Sequence, residues 1–188
     1  LVPDPKLYLL AEACDAEYAR EHIPGAGYLD LQGELSDRSS QWRFMMPPMD
    51  DLAASFAKRG IGADTKVVLY DTNNMMWATR IWWMLRAIGF DNAAVLDGGL
   101  KNWKQEGRAL SDVPCTYPPT SPPPVKAGPA LLVGQDAVLS ALDAPETSVI
   151  NALSFEQFAG EGKQYGRPGR IPGSVCAPAR DMTDPDTG

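Results

Sequence analysis

Histidine is nearly absent: His22 is the only one in 188 residues. That excludes a His-rich metal centre, and it leaves a Ser-His-Asp triad or a Cys-His pair only if His22 itself serves. Cysteine is scarce as well. Cys14, Cys115 and Cys176 are odd in number and far from any Cys-x-x-Cys or zinc spacing. No disulfide framework is expected, and reduced thiols in a cytoplasmic setting are, with a periplasmic one left open. No apolar run approaches the ~20 residues of a membrane span, and the opening Leu-Val-Pro-Asp-Pro-Lys has no signal or basic targeting pattern. Positive charge is short too: 17 Lys plus Arg stand against 24 Asp plus Glu, a net charge of −7. Neither a nucleic-acid groove nor an anionic membrane surface is built from such a balance. No residue cluster calls for a metal or another cofactor, so none is expected.

Proline, by contrast, is abundant and uneven. Seven of the 17 prolines lie between Pro114 and Pro129. Proline lacks the backbone donor and fixes φ, so this stretch is neither an inner strand nor a helix interior. It reads as an extended tether between two units. Before it, short apolar strands alternate with helices. Strands are expected at Leu7–Leu10, Gly27–Leu31, Lys66–Tyr70 and Ala93–Leu96, the last two buried. Helices are expected at Ala16–Glu21, from a cap at Asp50 or Asp51 to about Arg59, at Trp77–Ile88 and at Leu100–Glu106. The non-alternating run Val67-Val68-Leu69 suits a parallel strand covered on both faces, and Trp77, Ile81, Met84, Leu85 and Ile88 recur at helical spacing. This pattern implies a parallel-rich α/β domain.

After the prolines the pattern restarts, with an amphipathic Val133–Leu142, a strand at Ser148–Asn151 and a short helix at Phe155–Phe158. Ile171-Pro172-Gly173 then repeats Ile23-Pro24-Gly25 at a distance of 148 residues. In each case an aromatic-bearing helical piece precedes the turn and a small-residue strand follows it. A tandem duplication with an incomplete second copy is expected. The expected boundaries are 1–110 for a first domain, 111–129 for the linker and 130–188 for the opening of a second domain. Its remainder would come from further sequence or from another chain.

One loop has the position of a reactive site: Asp71-Thr72-Asn73-Asn74-Met75-Met76, between the strand Lys66–Tyr70 and the helix beginning at Trp77. Open α/β sheets bind ligands at the carboxyl ends of their strands, and free N–H groups at a helix start favour an anion. A Cys at position 71 would be a good thiolate there. Asp71 cannot carry sulfur as a persulfide, so Asp71 and Asn73 are expected to act as turn and capping residues.

These residues also carry a family resemblance. Glu17-Tyr18-Ala19-Arg20-Glu21-His22-Ile23-Pro24-Gly25-Ala26, Val67-Val68-Leu69-Tyr70-Asp71, Ala78-Thr79-Arg80-Ile81-Trp82-Trp83-Met84-Leu85-Arg86 and Val95-Leu96-Asp97-Gly98-Gly99 with Trp103 resemble the first domain of a tandem rhodanese, a sulfurtransferase of the thiosulfate or 3-mercaptopyruvate type. Tyr165-Gly166-Arg167-Pro168-Gly169-Arg170-Ile171-Pro172-Gly173-Ser174 resembles the opening of the second. The resemblance implies an α/β, rhodanese-like three-layer domain with a mainly parallel sheet. It implies sulfur transfer from a small donor anion to a thiophilic acceptor such as cyanide, through a Cys persulfide in the second domain. The first domain is then structural, and Asp71 fits the place where the catalytic Cys is replaced.

None of the three cysteines matches the catalytic position, so no catalytic residue is expected within the chain and the chain alone is expected to be inactive. The family's Asp-Val-Arg stretch falls at Ala11-Glu12-Ala13 and again at Asn151-Ala152-Leu153, where Leu153 stands in place of an Arg that many relatives use to hold an anionic substrate. Arg38, Trp42 and Arg80 are the candidate cleft or substrate-side residues, with Asp37 and Arg43 beside them. Arg80 and Arg86 are otherwise expected in surface ion pairs, Trp82 and Trp83 in packing, and His22 in bonding a nearby loop. Two other readings are a non-catalytic binding or scaffold module and, from Leu69-Tyr70-Asp71-Thr72-Asn73, an Asp-nucleophile phosphotransferase.

Overall fold

The computed structural model describes residues 6–11, 15–72, 75–126, 131–161 and 166–184. They form two compact units that divide between Pro129 and Ala130.

In the first unit, β1 (Lys6–Ala11), β2 (Gly27–Asp30), β3 (Val67–Asp71) and β4 (Ala93–Val95) make one sheet in the order β2-β1-β3-β4. Every neighbouring pair is parallel, so each connection must cross over. The crossovers carry α1 (Asp15–Arg20), α2 (Met49–Lys58) and α3 (Met76–Ala87), and α4 (Gly99–Gln105) follows β4. The two-residue period of β3 then sorts its side chains between two cores. Val67 and Leu69 join Leu52 and Phe56 of α2 and Ile81, Met84 and Leu85 of α3. Tyr70 points to the other face, with Tyr18 of α1 and Leu100 of α4. The result is the expected α/β three-layer architecture with a parallel sheet.

Two expectations change here. α2 begins after Pro48, and no side chain caps it. Asp50 and Asp51 lie in its first turn, where their charge meets the positive end of the helix dipole. β4 is not buried: Ala94 is exposed and its neighbours are half-buried, because among the described residues the strand pairs on one side only.

The proline segment also differs from a free tether, since residues 111–126 are strapped along the first unit. Ser111 exchanges two backbone bonds with His22, at 2.8 and 2.9 Å. The Cys115 N–H donates to the Tyr18 hydroxyl at 2.7 Å, and the Tyr117 hydroxyl donates to the Gly25 carbonyl at 2.8 Å. Thr120 N–H bonds the Ala57 carbonyl at 3.0 Å and Lys126 N–H bonds the Ile88 carbonyl at 3.1 Å. Between prolines, the N–H groups of Cys115, Thr120 and Lys126 find acceptors on the domain. The strap explains two helix ends. α2 and α3 close at Gly60 and Gly89, both left-handed at φ +83° and +81°. A Cβ added at either would lie 2.6 Å from a strap side chain, Tyr117 or Lys126 respectively.

The second unit contains α5 (Gln135–Leu142), β5 (Ile150–Asn151), α6 (Phe155–Ala159), β6 (Val175–Cys176) and a 3-10 turn at Ala179–Met182. β5 and β6 pair in parallel, as β1 and β2 do. The apolar strand expected at Ser148–Asn151 shortens to two residues. α6 has a complete capping box between Ser154 and Gln157. The two Ile-Pro-Gly segments build the same turn: Ala26 N–H returns to the Ile23 carbonyl at 2.9 Å and Ser174 N–H to the Ile171 carbonyl at 3.1 Å. Gly25 at φ +80° and Gly173 at φ +84° supply the conformation a Pro-Gly turn of this type requires. The β-α-turn-β unit is thus repeated. Among the described residues, β1 has a strand on each side and β5 on one side only. Only Pro178 is buried in the described second unit. Ile150, Phe155 and Val175 are exposed there. Among the described residues, no helix is long and apolar enough to cross a membrane.

Candidate functional site

Asp71 ends β3 and is almost fully buried. Its Oδ1 accepts the Met75 N–H at 3.0 Å, and its Oδ2 accepts the N–H groups of Trp77 and Ala78 at 3.1 and 3.2 Å. These are the free donors at the start of α3, so the carboxylate occupies the place where the helix would hold a bound anion. Met75 caps the helix at φ +63°, left-handed for a side-chain-bearing residue. The capping role expected of Asp71 is therefore realised from four residues upstream of the cap. The approach of α4 closes the back of the loop. A Cβ at Gly99 would lie 2.7 Å from the Asp71 carbonyl oxygen, and Gly99 itself is at φ +52°. Only glycine fits between these elements. Thr72 ties the loop to α1 through a 3.0 Å hydroxyl bond to Glu17 Oε2, and Met76 is exposed. Asn73 and Asn74 lie outside the described residues.

The tyrosines next to this loop carry structure that the sequence reading missed. The Tyr70 hydroxyl accepts the Ile23 N–H at 2.9 Å, which joins the end of β3 to the first Ile-Pro-Gly turn. Burial pushes the Tyr70 phenol well above its ordinary range. Tyr18 donates its hydroxyl to the Ala26 carbonyl at 2.7 Å and accepts from Cys115; burial raises its pKa too. A Tyr at a strand end beside Asp was the available signal. His22 is fully buried and stacked on Tyr18, with ring centroids 4.1 Å apart. Its ring nitrogens face the Tyr18 and Val113 carbonyl oxygens at 2.7 and 3.0 Å. The expected structural role of His22 is what the geometry shows.

The other candidates divide. Arg80 makes no ion pair among the described residues. It donates to the Phe44 carbonyl at 2.9 Å, its Nε is buried without a hydrogen-bond partner, and burial lowers its pKa. The Phe44 ring packs on Trp77 with centroids 5.0 Å apart. α3 thereby pins the loop that carries Arg38 and Trp42. Phe44 is itself left-handed at φ +61°, and Asp37 N–H closes the loop onto the Met45 carbonyl at 2.8 Å. Arg38 and Trp42 are exposed and line a surface cavity of about 470 Å³ with Arg43 and Asp37. Arg86 does form its surface pair, with Asp91 at 3.5 Å, and lies over Trp82.

Cys115 is a half-buried free thiol on the strap, and Cys176 is a half-buried free thiol in β6, 3.8 Å from the Leu153 carbonyl. Cys115 lies in no strand of the sheet, and Cys176 ends β6 ahead of a short 3-10 turn rather than an α-helix. Cys14 lies outside the described residues. Leu153 is exposed just after β5, and its N–H bonds Asn151 Oδ1 at 2.9 Å. Among the described residues no cluster of three or more His, Cys, Asp or Glu could hold a metal ion.

Comparison with known proteins agrees with this geometry. Residues 14–106 match the family model of the Rhodanese-like domain. The chain is 32% identical over 186 residues to 3-mercaptopyruvate sulfurtransferase of Homo sapiens, covering 95% of the chain and 62% of that protein. It is 32% identical over 165 residues to thiosulfate sulfurtransferase of Gallus gallus, covering 86% of the chain and 56% of that protein. The chain thus spans less than two thirds of these relatives' length. Among solved structures it superimposes with a TM-score of 0.81 on SseA from Escherichia coli, described as a 3-mercaptopyruvate sulfotransferase of rhodanese fold, at 28% identity over 96% of the chain and 72% of SseA. An anaerobic ergothioneine biosynthesis enzyme from Chlorobium limicola matches with a TM-score of 0.79 at 26% identity, over 93% of the chain and 45% of that enzyme.

Proposed function

Because this chain belongs to the rhodanese family, we propose that it serves a cytoplasmic sulfurtransferase that moves a sulfane sulfur from a small donor anion, of the thiosulfate or 3-mercaptopyruvate kind, to a thiophilic acceptor such as cyanide. The first unit is the non-catalytic half. The observation that carries this reading is the Asp71 carboxylate in the ring of loop N–H groups that would otherwise stabilise an anionic sulfur. A carboxylate fixed there can neither accept sulfur nor leave room for it.

The sulfur-carrying Cys is then supplied by a segment outside residues 1–188, added as a parallel strand beside β5. The one-sided pairing of β5 supports this, because β3 takes the matching place beside β1. Arg38 and Trp42 are substrate-side residues on an exposed loop, and Arg80 positions that loop. The thiolate attacks the donor's outer sulfur, the remainder leaves as an anion, and the acceptor's lone pair removes the sulfur and regenerates the thiolate. No cofactor takes part.

Thiocyanate formation from thiosulfate or 3-mercaptopyruvate plus cyanide, assayed on the natural gene product with each substrate varied, tests the reading. Parallel reciprocal plots, the ping-pong pattern, are expected. Absence of transfer from both donors overturns it. The Asp71 geometry also favours a second reading, in which the chain is a purely docking, non-catalytic module; that reading predicts no transfer in any context. The phosphotransferase reading loses ground because both Asp71 oxygens are bound by backbone donors.

A further inference from the structure

The loop pinned by Arg80 holds two arginines that meet no carboxylate among the described residues. Arg20, Arg59, Arg86 and Arg108 each meet a carboxylate, from Glu21, Glu34, Asp91 and Glu106. Arg38 and Arg43 meet none among the described residues; Arg43 lies over the Phe44 ring, 4.8 Å from its centroid. Both line the 470 Å³ cavity. The same cavity is lined by Asp30 and Asp37, each engaged through Oδ1: Asp30 takes the Gly33 N–H at 2.8 Å, and Asp37 takes the Ser39 N–H and hydroxyl at 2.9 and 2.6 Å. The Ser39 bonds hold the Asp37 carboxyl below its usual range, so it is charged at neutral pH. Trp42 stands 66% exposed at the rim.

A cavity with unpaired guanidinium groups and carboxylates suits a ligand that carries both signs of charge. A simple anion would meet Asp30 and Asp37, and a simple cation would meet Arg38 and Arg43. We propose that this cavity binds a small zwitterion of the α-amino-acid type, its carboxylate on Arg38 and Arg43 and its ammonium on Asp37. An amino-acid thiol of this form would be the acceptor of the transferred sulfur; that link rests on the sulfurtransferase reading, whereas the binding site does not. The loop suits such a site because it is held in shape beforehand, by the Asp37–Met45 closure, the Arg80 bond and the Phe44–Trp77 contact, so little ordering remains on binding.

The test is calorimetric titration of the 188-residue chain with four probes: L-cysteine, glycine, 3-mercaptopropionate and cysteamine. The site predicts that both zwitterions bind at least tenfold tighter than either singly charged thiol. It predicts a shift of the Trp42 indole N–H resonance on L-cysteine addition, and a loss of tenfold or more in Arg38→Gln and in Asp37→Asn. Thermal unfolding of each variant, matched to the parent, shows that the loop persists. Equal affinity for all four probes, no measurable binding, or unchanged binding in both variants overturns the proposal. Zwitterion binding in a protein that transfers no sulfur leaves the site standing and removes only its role as acceptor site.

Discussion

Replacing Asp71 with Ala tests the self-filled loop most sharply. The carboxylate receives three backbone N–H bonds of 3.0 to 3.2 Å while 2% exposed. Losing a helix-capping acceptor typically costs about 0.5–2 kcal/mol. Each buried donor left unmet adds roughly 1 kcal/mol or more. Because water can enter the vacated space and satisfy part of the ring, a total of about 3 kcal/mol is expected for Asp71→Ala. Asp71→Asn keeps one carbonyl acceptor and loses the charge, so about 1–2 kcal/mol is expected. For a unit of this size, 1 kcal/mol shifts Tm by about 3–5 °C, so Asp71→Ala should lower Tm by roughly 9–15 °C. Urea unfolding followed by far-UV circular dichroism reads the global effect. Hydrogen exchange at the Trp77 and Ala78 amides reads the local one, which should quicken more in Ala than in Asn. A loss under about 0.5 kcal/mol, or amides as protected as in the parent, would refute the idea that Asp71 holds this loop.

Other expectations follow from the same contacts. Gly99→Ala places a Cβ 2.7 Å from the Asp71 carbonyl in a left-handed backbone; a loss of about 2 kcal/mol or more is expected by urea unfolding, and a neutral result would contradict the close approach. Tyr70 and Tyr18 both have folded pKa values raised by burial above about 10. Their stabilisation is full below pH ~10 and falls as pH climbs toward the folded values. The urea midpoint should therefore drop between pH 9 and 11 (roughly the onset of phenol ionisation), and less in Tyr70→Phe; an unchanged drop in that variant points elsewhere. Tyr117→Phe removes the hydroxyl bond to Gly25, so about 1 kcal/mol is expected, with faster exchange at the Thr120 amide as the local readout. No change at Thr120 would show that the strap is not one cooperative piece.

The parallel α/β core was legible because burial on both faces leaves a continuous apolar run such as Val67-Val68-Leu69, and because α3 repeats its apolar residues at helical spacing. The Ile-Pro-Gly repeat was legible because a Pro-Gly turn needs those two residues in that order. The strap was not. Proline density shows what a segment cannot form, but the acceptors that dock it, the carbonyls of Gly25, Ala57 and Ile88, are distant in sequence and carry no side-chain signature. β4 misled for a related reason: Ala93-Ala94-Val95 reads the same whether a neighbouring strand is present or not. At the site, the capping role of Asp71 followed from its place after a strand. The bond from Arg80 to Phe44 did not, because it ends on a backbone oxygen 36 residues away.

Intact-mass analysis of the 188-residue chain, after thiosulfate treatment under non-reducing conditions, tests the central claim most directly. With Asp71 filling the loop and the carrier thiol outside these residues, the account predicts an unchanged mass. A gain of one sulfur, mapped by fragmentation to Cys14, Cys115 or Cys176, would contradict it.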